Sequence, residues 1–500
     1  MSPRLRLALF ATLGVVLALM IGVDLANESY GLATLVALAC AWLVATRVGC
    51  AFPDAWILAA VLLGYVVGNR GFAQLQPSKQ IPLLPAEGAL LVLVPALVAR
   101  MALKRVAAVR KDALNYAILA WMLVGTLRLP QDMSRFGVTA LRDYATIYYA
   151  AFFFIAQAFG GHASSEKLLR RTLTVAFLGL LPVVVSIQAS PDFLIDNLTW
   201  QGIPIIYHKS DLIATSLAAG FFWLWTRMAG GARRFWFVAA SASLLLIGLM
   251  ASPRAGMFGV FVVTALWLAT GRWRIAAAEL GVVAAASVVS VAALAFLGRD
   301  LTTSAPYSMY EHAVSIFDPA GSGTYINGES GDPGANNRFR MIWWRDVIED
   351  TLSTNPVLGT GFGSDLSTRF LADYDLLTDE TFAARSPHSM IVTTFGRLGL
   401  VGLLAWVAIS AALARMVWRL FKSGDPDGLG LASVVCVIWL SACVGVVLES
   451  PMGAVVFWTT AGLANARALG LGPRQPPPRA SADESPVAMS APLLPHSSPR

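Results

Sequence analysis

HSMIVTTFGRLGLVGLLAWVAISAALA, residues 388–414, is 27 residues long and almost wholly apolar. An α-helix rises about 1.5 Å per residue, so about 20 apolar residues cross the ~30 Å hydrocarbon core of a bilayer. This run is long enough to span with some tilt. Comparable runs recur near 5–23, 31–48, 54–69, 83–103, 113–129, 139–160, 168–190, 211–229, 234–252, 255–271, 274–297, 429–449 and 451–469. The 500-residue chain is 56% hydrophobic and only 13% charged, with a mean hydropathy of +0.64. A soluble domain carries about 25% charged residues, and a soluble fold of this length has no interior for so much apolar surface. The sequence therefore predicts an all-α, polytopic membrane helical bundle of about 12–14 transmembrane helices, with one large loop carrying short helices. The range reflects two helix pairs joined by tight turns, at Ser252-Pro253-Arg254 and Ser450-Pro451.

The basic residues orient the bundle. With the N-terminus placed in the cytoplasm, 23 of the 37 Lys and Arg residues fall on inside segments and seven on short outside connections. Short cytoplasmic connections carry such an excess of positive charge. Both termini are thus expected in the cytoplasm, with the long loop from Arg299 to Pro387 outside. Met1-Ser-Pro-Arg-Leu-Arg has the charged start of a signal peptide, but no cleavage site follows, so 5–23 reads as a retained first helix. The tail is rich in Pro, Ser and Ala, with Pro476-Pro477-Pro478, and cannot bury a core. The expected division is an N-terminal transmembrane bundle over 1–298, the outside loop over 299–387, C-terminal transmembrane helices over 388–471 and a disordered cytoplasmic tail over 472–500. The net charge of +7 does not indicate nucleic acid, because the basic residues sit in short clusters between apolar runs. Cys40, Cys50, Cys436 and Cys443 lie in or beside apolar segments and read as packing residues.

The outside loop concentrates the polar chemistry. RFRMIWWRDVIEDTL, residues 338–352, predicts an amphipathic helix in which Phe339, Ile342, Trp343 and Val347 recur at helical spacing. Trp343 and Trp344 suit a membrane interface. Asn355-Pro-Val-Leu-Gly-Thr-Gly-Phe-Gly363 follows; without a following Lys-Ser/Thr, its three glycines read as a structural turn rather than a nucleotide loop. Then comes Arg385-Ser386-Pro387-His388-Ser389, where Ser386 is placed to cap the next helix with Pro387 at its first position. Arg254 sits in the tight turn at the outer end of two spans, either reaching the interface or binding an anion from the headgroup plane. Arg142 with Asp143, and His208-Lys209 with Asp211, are further outside polar groups, with plain surface-pair and interface-anchor readings beside the functional one.

Together these stretches resemble the O-antigen ligase and O-antigen polymerase superfamily of bacterial membrane glycosyltransferases. Ser-Pro-Arg254-Ala-Gly is similar to the family's Ser-Arg-Gly-like element. Arg340-Met-Ile-Trp343-Trp344 with the Pro-Val-Leu-Gly-Thr-Gly turn resembles its Arg-then-Trp helix and Pro-Leu-x-Gly-x-Gly turn. Ser-Pro-His388-Ser with Gly396-Arg-Leu-Gly-Leu-Val-Gly402 resembles its His-Asn element and Gly-Leu-x-Gly-Leu helix. The likeness runs from about Ser241 to Leu420; Ser389 stands where the family most often has Asn.

The resemblance implies a bacterial inner-membrane enzyme whose loop is periplasmic. Its donor would be a polyprenyl-diphosphate-linked glycan, and its acceptor a second glycan (as polymerase) or lipid A–core (as ligase). Membrane lipid would be the other partner, with no cofactor and no metal. Arg254 and Arg340, with Arg345 as neighbour, would bind the diphosphate, His388 would take the acceptor's proton, and Asp365 would share that task. Arg142, His208, Lys209 and Arg385 are secondary candidates. The alternatives are a protein O-oligosaccharyltransferase and a polysaccharide or lipid transporter (flippase); a transporter predicts charges at mid-membrane depth within several helices.

Overall fold

A computed structural model describes residues 54–470, apart from 77–82, 104–105, 251–252, 299, 301, 303–304, 326–332 and 374–384. The expected spans 5–23 and 31–48 and the tail 472–500 lie outside the described residues. The chain is an all-α bundle; the strands described are one two-stranded antiparallel ribbon, Thr199–Trp200 with Ile203–Pro204.

Seven described helices are long and apolar enough to cross a membrane: Pro85–Ala102, Ala113–Phe136, Ala163–Ala189, Ser210–Gly230, Trp273–Phe296, Met390–Ser423 and Pro426–Cys443. Two shorter apolar helices, Ala55–Val67 and Arg254–Ala269, match the expected runs at 54–69 and 255–271. Arg233–Ile247 and Pro451–Ala468 match 234–252 and 451–469. The expected span at 139–160 is not one helix. It divides into Val138–Asp143, Ala145–Tyr148 and Ala151–Gly160, because its first half carries charge that is used at the loop end of the bundle.

Helix starts follow local chemistry. The Asp112 carboxylate accepts from the backbone N–H of Leu114 and Asn115, and Asp425 accepts from that of Gly428 just after Pro426. Ser389, not Ser386, caps the helix Met390–Ser423, accepting from the N–H of Val392. The expected Ser386 cap fails because its hydroxyl donates to Glu449 instead.

Helices that are apolar all round sit at the centre. Ser210–Thr226, Pro426–Cys443 and Pro451–Ala468 are buried along nearly their whole length, whereas Trp273–Phe296 buries only Ile275 and turns Leu280, Val288 and Val289 outward toward lipid. Lipid supplies little drive for two apolar helices to associate, so close approach and interhelical hydrogen bonds decide the packing. Gly462 lies so close to the helix Ala151–Gly160 that a Cβ there would stand 2.3 Å from the carbonyl oxygen of Phe153. In the same interface Gln157 bonds both Asn115 and Asn465, the latter at 2.6 Å. At the end away from the loop, Arg467 donates to Glu166 and Asp425 while Arg170 and Arg227 both reach Asp427, so each charge has a partner of opposite sign.

The loop forms the helices Ala305–Ile316, Pro333–Thr354 and Thr368–Asp373. The amphipathic helix expected over 338–352 is therefore longer at both ends. Trp343 stacks on Phe370 with centroids 5.0 Å apart, packs with Val347, Leu366 and Val392, and donates to the Leu366 carbonyl at 2.7 Å. It is fully buried and is not the interface residue expected from composition. This small core seats the loop on the first turns of Met390–Ser423.

Gly462→Leu should destabilise the bundle by about 1–3 kcal/mol through overpacking. Gly281→Leu, whose added Cβ meets nothing within 4 Å, should be close to neutral. Thermal unfolding of both in detergent checks the contrast; equal midpoints would show that this interface tolerates side chains.

Candidate functional site

Arg254 is the first residue of the helix Arg254–Ala269. Its Nη1 donates to the Pro333 carbonyl at 3.0 Å and to Asn337 Oδ1 at 2.5 Å. Asn337 is oriented in turn by donating to the carbonyls of Ser315 and Asp318. Arg340, one turn further along Pro333–Thr354, donates from Nη1 to the Val444 carbonyl at 2.6 Å. Both arginines line one cavity of about 220 Å³, with Phe258, Met341, Trp344 and Val444 among its walls. Among the described residues no carboxylate lines it.

His388 follows Pro387, whose carbonyl is bound by Trp344 of the cavity wall, and has a left-handed backbone conformation, φ +55°, uncommon for a non-glycine residue. The constraints are visible. Trp344 Nε1 donates to the Pro387 carbonyl at 2.6 Å, Ser386 donates to Glu449, and Ser389 Oγ donates to the Cys443 carbonyl at 2.8 Å. The imidazole lies 5.6 Å from the Trp343 ring. Burial, then the positive charges of Arg340 and Lys209, push its pKa down to about 4. The imidazole is therefore neutral at neutral pH.

The other expected site residues divide. Lys209 acts electrostatically on both His388 and Glu449, and its Nζ is 3.9 Å from Asp211. His208 bonds the Val67 carbonyl at 2.6 Å through Nε2; burial lowers its pKa, and it fixes a turn. Arg345 is turned away from the cavity, its side chain 59% exposed and engaged with Asp346 and Glu349. Asp365 uses Oδ1 on the Ser367 N–H and hydroxyl, and its side chain is 43% exposed, 3.8 Å from Arg385. Arg142 and Arg385 belong to a second cavity, of about 140 Å³, with Asp143, Thr146, Arg397 and Glu449 in its wall.

Arg397 and Glu449 were not anticipated. Arg397 is buried and pairs with Asp143, which is thus not spent on Arg142. Glu449 accepts from Ser386 and from Thr393 Oγ1, and burial holds its carboxyl above the ordinary range. A lone arginine inside an apolar run was the signal for the first. Glu449, the one charged residue of the run 429–449, carried the same signal.

The three-glycine turn ties these parts together. The helix Met390–Ser423 breaks at Gly399, φ +60° and ψ −153°. Thr360 N–H donates to the Gly396 carbonyl at 2.8 Å and Gly361 N–H to the Arg397 carbonyl at 3.0 Å. In return, Leu400 and Val401 donate to the carbonyls of Pro356 and Val357. The N–H groups of Phe362 and Gly363 are taken by Asp132 and Asp143. The turn is thus a docking element whose amides are already occupied.

Residues 239–407 match the family model described as O-Antigen ligase. The matched stretch covers about a third of the chain and supports the O-antigen ligase superfamily. It contains Arg254, Arg340, His388 and Arg397, together with the docking turn. No curated protein matches the chain. This O-antigen ligase match, carried on a bundle with seven span-length apolar helices, supports a multi-pass membrane enzyme of O-antigen or polysaccharide assembly. Among the described residues, no three His, Cys, Asp or Glu side chains are grouped to hold a metal ion.

An imidazole-selective acylating reagent, followed by peptide mass spectrometry, should modify His388 with a midpoint near pH 4. An ordinary histidine titrates near 6.5. Because a lowered pKa keeps the neutral form present at lower pH, Arg340→Ala and Lys209→Ala should each move the midpoint upward. A wild-type midpoint near 6.5 would contradict the electrostatic environment described.

Proposed function

We propose that the protein transfers a saccharide from a polyprenyl-diphosphate carrier to a hydroxyl acceptor, at the outer face of a bacterial inner membrane. The observation that carries this reading is the cavity shared by Arg254 and Arg340, whose wall residue Trp344 bonds the carbonyl of Pro387, the residue before His388. Guanidinium groups suit diphosphate oxygens because each presents several N–H donors in a fixed plane, and two of them, in a cavity with no carboxylate among its described lining residues, stabilise the charge of the leaving group. The acceptor hydroxyl oxygen attacks the anomeric carbon, forming the new glycosidic bond. The bond from that carbon to the diphosphate oxygen breaks, and its electron pair leaves with the polyprenyl diphosphate. The acceptor's proton passes to His388. In this reading no metal is required, because the two arginines supply the positive charge.

The orientation belongs to the same proposal. The excess of Lys and Arg on the segments opposite the loop supports cytoplasmic termini and a periplasmic loop. A carrier diphosphate would then lie in the headgroup plane beside Arg254, while the sugar chain extends toward the loop. The acceptor is a second carrier-linked glycan in a polymerase and lipid A–core in a ligase.

Purified protein is given an undecaprenyl-diphosphate-linked oligosaccharide with each acceptor in turn. Longer carrier-linked chains identify a polymerase, and a modified lipid A–core identifies a ligase. His388→Ala should lower kcat by about 10²–10⁴-fold, the usual contribution of a positioned proton acceptor. Arg254→Ala should lower kcat by about 10²–10³-fold, as for loss of one charge-stabilising donor. Full activity in both variants, at normal protein level, would sink the assignment.

A further inference from the structure

The two cavities differ in kind. Among the described residues, the first places two guanidinium groups and no carboxylate in its wall. The second places three guanidinium groups, from Arg142, Arg385 and Arg397, beside two carboxylates, Asp143 and Glu449, and the hydroxyls of Thr146, Ser386 and Thr393. The two carboxylates offset much of the positive charge of the second wall and so weaken its hold on a diphosphate. A sugar ring carries hydroxyls that each donate one hydrogen bond and accept others, so it matches a wall in which N–H donors alternate with carboxylate acceptors.

Arg397 adds an independent indication. Its side chain is only 6% exposed and Nη1 is held by Asp143, yet Nε has no hydrogen-bond partner among the described residues. A buried guanidinium N–H left without an acceptor is unfavourable; this Nε is closed to solvent, so an arriving hydroxyl oxygen would complete it only after a shift of the Arg397 side chain.

Both cavities also adjoin one short segment. Trp344, in the wall of the first, holds the Pro387 carbonyl, while Ser386, in the wall of the second, is held by Glu449. His388 is the next residue. We infer that the second cavity is the acceptor subsite and takes the hydroxylated sugar ring whose oxygen attacks. The donor diphosphate and the acceptor sugar then both approach the His388 turn. The inference rests on the transferase reading above and assigns its second substrate a place.

The test uses the full chain in nanodiscs, labelled undecaprenyl-diphosphate-linked oligosaccharide as donor, and whichever of carrier-linked glycan or lipid A–core the wild type accepts. Arg142→Gln removes a charge at the exposed rim, and Thr146→Trp fills the space. Both should raise the acceptor KM at least about tenfold, while retention of labelled donor on the protein stays within about twofold. Unchanged acceptor KM in Arg142→Gln, with an active wild type, overturns the subsite and leaves the transferase reading standing. Lost donor retention with unchanged acceptor KM would assign the cavity to the donor and also overturns it. A wild type that turns over neither acceptor removes the transferase reading, and the subsite with it. If Thr146→Trp does not fold, the rim variant decides alone.

Discussion

The break at Gly399 is the constraint on which the site depends. An unbroken helix would bond Leu400 N–H to the Gly396 carbonyl and Val401 N–H to the Arg397 carbonyl. At the break those four groups lose each other, and in apolar surroundings an unpaired backbone group costs several kcal/mol. The loop restores all four: Pro356 and Val357 supply carbonyls, Thr360 and Gly361 supply N–H groups. The two backbones must touch for this to work. A Cβ on Gly359 would stand 2.5 Å from the Arg397 carbonyl carbon, and one on Gly399 would stand 2.5 Å from that of Val357. Glycine on both sides is therefore a steric requirement of the repair.

That repair fixes the surrounding charges. Arg397, next to the break, is delivered to Asp143 on the short helix Val138–Asp143. Asp132 receives Arg128 as well as the loop amide of Phe362, so the turn is locked to Ala113–Phe136 by a carboxylate that is itself neutralised. With the loop seated, Trp343 and Trp344 meet Leu366 and Pro387, and the 386–388 segment is held between Pro333–Thr354 and the 443–450 connection. His388 keeps a left-handed backbone because its neighbours on both sides are bonded elsewhere. Two cavities of different charge character result, both adjoining a single turn.

Much of this was legible locally. The runs at 255–271, 274–297 and 451–469 became the helices Arg254–Ala269, Trp273–Phe296 and Pro451–Ala468, since a long apolar segment in lipid has no other way to satisfy its backbone. Arg254 and His388 stood out as polar groups at helix ends, whereas Arg340 was singled out only by the family resemblance. The errors share a cause. Ser386 and Ser389 are both acceptable caps by sequence; the contact with Glu449 takes the first and leaves the second. Trp343 has the composition of an interface residue, and only Phe370 makes it a core residue.

By itself, then, the sequence determined the solvent, the helical class and the short polar segments from which a site was to be drawn, because hydropathy and backbone satisfaction act within about 20 consecutive residues. The tertiary structure alone decided that Glu449 meets Ser386, that Arg397 meets Asp143 and that the glycine turn completes a broken helix. Those partners are 63, 254 and about 40 residues apart in the chain. Their pairing is set by where the packed helices end, which no local pattern records.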